Sequence, residues 1–259
     1  MGRNRTTKEK VEEFSKGVLE TSMDMSLFIV GLGIQSYSIS SGRTDFFKAL
    51  ENSGDFVKSV KKNYLRRGVY SATQKKYLEK NENGWQLTNE GQIRLDEILP
   101  KYHRKRLWDG KIYLITYDVP ESKRKDRDLL RGYLKRIGCG MFQASVWLTP
   151  YDPAEQLTRF IKDFRISGFI AVSNIGRDGN VGRMSVKDLV QSVYCLDRLN
   201  ERYRYFLIES QKQRMTLIET NFHFLSILKD DPQLPFSLLP DGWLGDKAFN
   251  VYNTLIAAA

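Results

Sequence analysis

The chain has 259 residues, 41% of them hydrophobic and 28% charged, with a formal net charge of +10. That composition excludes a disordered chain and is enough for two or three small domains, each with a modest core. Cys139 and Cys195 lack CxxC spacing, His103 and His223 have no cysteines nearby, and the apolar run Leu27–Leu32 is too short to span a bilayer.

The expectation is therefore a cytoplasmic protein with free thiols, no membrane association, no metal and no cofactor. The positive charge is concentrated early. Residues 1–106 carry 20 Lys and Arg against 13 Asp and Glu, residues 107–150 carry 8 against 5, and residues 151–259 carry 13 against 13. Residues 41–80 alone hold 10 basic and 4 acidic side chains, an excess that points to a polyanionic partner.

Residues 1–10 are polar and basic. Helical patterning runs, with breaks, from Val11 to Ile39. Ser40–Arg43 reads as a turn, Thr44–Leu50 as a short helix and Asn52–Asp55 as a second turn, whose Ser53 or Asp55 can cap the next helix. That helix is expected over Phe56–Arg67. Phe56, Val57, Val60 and Tyr64 form its apolar arc, with Leu65 falling off it. Lys58, Lys62 and Arg66 repeat every four residues on another arc, with Ser59 and Asn63 beside them and Lys61 at the edge.

Gly68 is expected to stop this helix. Arg67, Lys75 and Lys76 extend the basic surface beyond it. Helix, turn and a second helix with a basic outer face place a recognition helix in a major groove. There Lys and Arg hold phosphates, while Asn, Ser and Arg reach base edges. A lysine-rich helix face can equally be a solvated surface.

The following segment favours the DNA reading. Tyr77–Lys80, the Asn81-Glu-Asn-Gly84 turn, Trp85–Leu87 and a helix capped by Thr88 complete a winged helix-turn-helix. Lys101–Arg106 is a basic joint, expected to act as a linker.

Lys111–Tyr117 alternates as a strand with apolar or aromatic residues on both faces, so it should be covered on both sides. Pro120 ends it, and Ser122 is expected to cap a helix whose buried stripe is Leu129, Leu130, Tyr133, Leu134 and Ile137. After Gly138, Met141–Leu148 is extended. Asp152, Pro153 and Glu155 start a helix carrying Leu157, Phe160, Ile161 and Phe164, and Phe169–Val172 is a further strand.

This order gives a ferredoxin-like α/β plait. Its fourth strand comes either from a bend within Met141–Thr149 or from an edge strand within Asn174–Met184. Helices follow from Ser185 to about Leu228. Then comes a connector stiffened by Pro232, Pro235 and Pro240, and a last short helix from Gly245.

Three sets of motifs resemble the PaaX family of bacterial transcription repressors. One is Trp108-Asp-Gly-Lys with Tyr117-Asp-Val-Pro-Glu121 and Val146-Trp-Leu-Thr-Pro150. A second is Asp188-Leu-Val with Leu196-Asp-Arg-Leu199 and Tyr203-Arg-Tyr-Phe206-Leu. The third is Asp231-Pro-Gln-Leu-Pro235 with Leu238-Leu-Pro240 and Trp243-Leu-Gly245. With the winged helix they cover nearly the whole chain.

The resemblance implies an α+β protein with three domains: a winged helix-turn-helix over residues 1–106, a ferredoxin-like plait over 107–184 and a helical domain over 185–259. It implies a homodimeric repressor on a double-stranded DNA operator, with no catalytic residues, released by a small effector of the acyl-coenzyme A type. Tyr194 stands where that family often has tryptophan. An effector site is expected between the plait and the C-terminal helices.

Tyr117-Asp118-Val and Gln143-Ala-Ser145-Val-Trp147 also resemble the ferredoxin-like CRISPR spacer-acquisition subunit, some members of which are described as metal-dependent nucleases. That makes a nuclease using Asp118 the alternative function. The competing reading of Asp118 is a turn former at a strand end.

Overall fold

The structure is a computed structural model and describes residues 19, 21–31, 62–81, 84–176, 180–181, 184–212 and 215–258. The chain forms two compact units. The first takes Met1–Tyr102, Glu201–Asp230 and Leu244–Ala259, and the second takes His103–Asn200 and Asp231–Trp243. The helical C-terminal stretch expected as a third domain is thus shared between the two.

In the first unit, helix α1 (Ser22–Gly31) is buried from Met23 to Val30. A helix buried on all sides must be enclosed by other elements, and its buried polar side chains, Asp24 and Ser26, must find partners. Thr21 caps it, accepting the Asp24 N–H at 3.0 Å and donating to the Asp24 carboxylate at 2.8 Å. Helix α2 (Lys62–Gln74) crosses α1, strands β1 (Leu78–Asn81) and β2 (Gly84–Leu87) form an antiparallel hairpin, and α3 (Asn89–Ile98) follows. Thr88 caps α3 by accepting the Gly91 N–H at 3.0 Å.

The buried Asp24 carboxylate of α1 is held by Arg94 of α3 at 3.2 Å, tying the first and last of these helices together. On its other side α1 meets the C-terminal part of the chain, where Phe28 lies edge-on to Phe222 at 4.8 Å.

The second unit holds the plait: β3 (Lys111–Asp118), α4 (Arg124–Arg136), β4 (Gly140–Gln143), β5 (Val146–Thr149), α5 (Ala154–Phe164) and β6 (Phe169–Gly176). The sheet order is β4-β5-β3-β6, antiparallel throughout. This is the ferredoxin-like arrangement, and the fourth strand arises from a break within the Met141–Thr149 stretch. Ala144 and Ser145 turn the chain, and the register shifts between Met141 and Gln143.

Ile115, Tyr117 and Trp147 point to one face of the sheet, where they join Leu130, Leu134, Leu157 and Phe160 in the core. Tyr133 and Phe160 stack at 3.8 Å, so the two helices share one apolar layer. On the opposite face Ile112 and Leu148 are fully buried, while Leu114, Thr116, Val146 and Ala171 are half-buried.

Ser122 does not cap α4, because Glu121–Lys123 forms a 3-10 turn before it. Leu129 is 43% exposed, since the buried stripe of α4 runs through Leu130 and Leu134. Phe164 is 55% exposed, its ring tilted at 37° to that of Phe160 with the centroids 4.8 Å apart.

A second hairpin, β7 (Asn180–Val181) with β8 (Met184–Ser185), leads into α6 (Val186–Val193), capped by Ser185 as expected. The Tyr194 hydroxyl reaches Gly138 O at 2.8 Å and Leu148 O at 3.0 Å and accepts the Gly140 N–H, fixing the end of α6 to the second sheet face. Burial holds this phenol well above its ordinary pKa.

Helix α7 (Leu196–Gln211) begins in the second unit and continues in the first, which also holds α8 (Leu217–Asp230) and α9 (Gly245–Ala257). No helix among the described residues is long and apolar enough to cross a membrane.

Candidate nucleic-acid interface

The candidate interface is built on α2. Leu65, Gly68, Val69 and Ala72 are buried at helical spacing against α1. Asn63, Arg66, Arg67, Tyr70 and Gln74 occupy the opposite side and are all exposed, Tyr70 at 69%. One face holds the helix in place while the other presents two amides, two guanidiniums and an aromatic ring, groups able to grip phosphates and read base edges.

This rotates the expected arcs. Leu65, which fell off the apolar arc, is 2% exposed, and Tyr64, assigned to that arc, is 38% exposed. Burial, followed by the charge of Asp24, raises the Tyr64 pKa. Gly68 does not stop the helix. A Cβ there would lie 1.9 Å from Ser22 O and 2.3 Å from Ser26 Oγ, so the glycine allows α2 to cross α1 at backbone contact. Ser26 Oγ donates to Ser22 O at 2.8 Å and lies 3.3 Å from Leu65 O in the same crossing.

The helix ends at Gln74 in a Schellman closure. Lys76 takes φ 60°, its N–H reaches Thr73 O at 3.0 Å, and the Tyr77 N–H reaches Ala72 O at 2.8 Å. Lys75 and Lys76 are thereby fixed, both exposed, between α2 and the hairpin. Thr88 Oγ1 donates to Lys76 O at 2.5 Å, joining the foot of the hairpin to that turn. On the hairpin, Gln86 donates to Glu79 at 2.5 Å and accepts from Asn81 at 2.8 Å, so Glu79 is engaged beside the exposed Lys80.

Of the sequence-predicted contacts, Asn63, Arg66, Arg67, Lys75 and Lys76 fall on this surface, and Lys62 stands at the start of α2. Lys58, Ser59 and Lys61 lie outside the described residues. Tyr70 and Gln74 were missed. Their spacing from Arg66, Arg67 and Asn63 is the signal that would have found them, had Gly68 not been read as a stop.

The basic joint divides in character. Lys101, Arg104 and Lys105 are exposed. Arg106 is 8% exposed, donates to His103 O at 3.1 Å and Leu234 O at 3.2 Å, and lies 4.8 Å from the Phe236 ring centroid. It is a packing residue of the second unit.

Asp118, the candidate for nuclease chemistry, is exposed at the end of β3. Among the described residues no three His, Cys, Asp or Glu side chains cluster as metal ligands would. Next to it, Gly168 has φ +112° and comes within contact of the Asp118 carbonyl, where a Cβ would lie 2.4 Å from the oxygen.

Residues 105–180 match the PaaX protein central Cas2-like domain. Among solved structures, the uncharacterized protein Rv0674 from Mycobacterium tuberculosis is similar over 89% of this chain and 93% of that chain. Its TM-score of 0.56 at 17% identity shows a shared fold. No curated protein matches the chain. The matched stretch begins just before β3 and contains the whole βαββαβ plait with its β4-β5-β3-β6 sheet. The central domain of this chain is thus similar to that of the PaaX family.

Proposed function

We propose that the chain is a DNA-binding transcriptional regulator that works as a homodimeric repressor and is released by a small metabolite. What supports this reading is the outer face of α2. Asn63, Arg66, Arg67, Tyr70 and Gln74 line one side of a helix anchored by its other side, followed by two fixed lysines and a hairpin placed as a wing. Family resemblance supplies the regulatory role, and the charge excess of the first 106 residues agrees with it.

Support for a dimer comes from the second face of the plait, where Leu114, Thr116, Val146 and Ala171 are only half-buried and Phe169 is 68% exposed. A winged helix contacts one short half-site, and pairing two of them doubles the contact and fixes the half-site spacing.

Selection of bound duplexes from a random DNA pool by the full-length protein tests the function. The expected outcome is an enriched motif of two related half-sites at constant spacing. A pool that stays random after repeated selection contradicts the reading. In the same buffer with magnesium or manganese, the recovered DNA and added RNA should stay intact. Cleavage that disappears in Asp118→Asn would replace the regulator by a nuclease.

A further inference from the structure

The first unit holds a half-open pocket of about 290 Å³, bounded by α1, α3, α8 and α9. Its wall includes Phe28, Leu95, Phe224, Leu228, Phe249 and Tyr252. Two stacked ring pairs shape it. Phe224 and Tyr252 lie 4.2 Å apart at 13°, and Tyr102 and Phe249 lie 4.1 Å apart at 15°. An apolar cavity of about 150 Å³ stays dry and accepts a benzene ring, so one near twice that size takes one or two fused rings.

The polar groups inside set the ligand's charge. Asn221 is 3% exposed; its Nδ2 donates to Leu217 O at 2.9 Å and its Oδ1 accepts the Tyr252 hydroxyl at 2.7 Å. Burial raises the Tyr252 pKa to about 12, so the phenol stays neutral at physiological pH. Its oxygen keeps lone pairs to offer a ligand donor. Asp96 and Lys101, the charged residues of the lining, are both exposed to solvent; against the rest of the wall, which is mostly aromatic and aliphatic, transfer of a charged group from water is strongly disfavoured.

We infer that this cavity is a binding site for a planar, uncharged one- or two-ring compound carrying one hydrogen-bond donor. The site is built from the helices flanking the DNA-reading elements and from the C-terminal helices, a different place from the plait expected from sequence to help hold an effector. Binding of such a compound stands independently of any DNA contact. Its regulatory consequence rests on the proposed DNA-binding role: a ligand wedged between α3 and the C-terminal pair shifts DNA affinity only if the DNA-bound geometry changes this cavity.

Indole is a suitable probe, with benzoate as a charged control, both followed by ligand-observed NMR on the full-length protein without DNA. Saturable indole binding is expected, with benzoate weaker by about tenfold or more. Leu228→Trp, which fills the cavity, should weaken indole by about tenfold or more while keeping the wild-type circular dichroism spectrum. If that variant does not fold, Leu225→Phe, a smaller filling change, should weaken indole in the same direction.

Absent or unsaturable indole binding overturns the inference. So does benzoate binding as tightly as indole, or indole affinity unchanged in a folded, cavity-filled variant. Because DNA is absent, these outcomes leave the DNA-binding proposal untouched.

Discussion

Gly68 is where α1 and α2 touch backbone to backbone. Alanine normally favours a helix over glycine by about 1 kcal/mol. Here its methyl would lie 1.9 Å from a main-chain oxygen, which no side-chain rotation relieves. Gly68→Ala should therefore destabilise the protein by about 1–3 kcal/mol net, read as a lower urea midpoint; an unchanged or higher midpoint would show that the helices do not meet there.

Lys76 carries the opposite strain, a left-handed backbone under a non-glycine residue. Lys76→Gly should raise stability by about 1 kcal/mol or less, because glycine accepts that conformation. The same change removes a cation from the proposed interface, so DNA affinity should fall while the melting temperature does not. The two cysteines give a third residue-scale check. Burial pushes the Cys139 thiol up to about 12, whereas Cys195 is exposed. Since the thiolate is the nucleophile, iodoacetamide near pH 8 should modify Cys195 alone in the native protein, and Cys139 only after denaturation.

At the scale of elements, much was legible because the local signals agreed with one another. The Asn-Gly turn, the alternating strands around it and Thr88 ahead of a helix fixed the hairpin and α3. In the plait, alternation placed β3, and the 3.6-residue stripe placed Leu130 and Leu134 inside. What sequence could not decide was whether a glycine ends a helix or lets another helix approach. Gly68 has the same composition signal in both cases, and only the partner Ser22 and Ser26 on α1 distinguishes them.

That one ambiguity displaced the end of α2 and hid Tyr70 and Gln74. The split between β4 and β5 is hard to read in the sequence for a related reason. Ala144 and Ser145 carry no Gly or Pro turn signal, and the break is held instead by tertiary bonds. Tyr117 donates to Ala144 O at 2.8 Å, and Arg131 reaches the same oxygen at 3.1 Å.

At the scale of the whole molecule, sequence order and spatial order part company. Residues 201–230 and 244–259 belong with the first 102 residues in one compact unit. The reason lies in α1, which is buried all round and needs cover on the side away from α2 and α3; Phe222 supplies part of it against Phe28. A fragment ending near residue 106 would expose that side, so the full chain is the right material for DNA measurements.

The arrangement also ties the proposed reading head to C-terminal helices from a stretch that carries no net charge, which suits packing and ligand contact better than phosphate contact. On this proposal the outer face of α2 reads DNA. Fluorescence anisotropy of a selected duplex, titrated across salt concentrations with the wild type and with Arg66→Ala/Arg67→Ala, tests it most directly. The double variant should lose about 1–3 kcal/mol of affinity for each side chain that reads a base, and about one unit of salt slope for each that holds a phosphate. Wild-type affinity and an unchanged salt slope in a variant with a native circular dichroism spectrum would contradict the account.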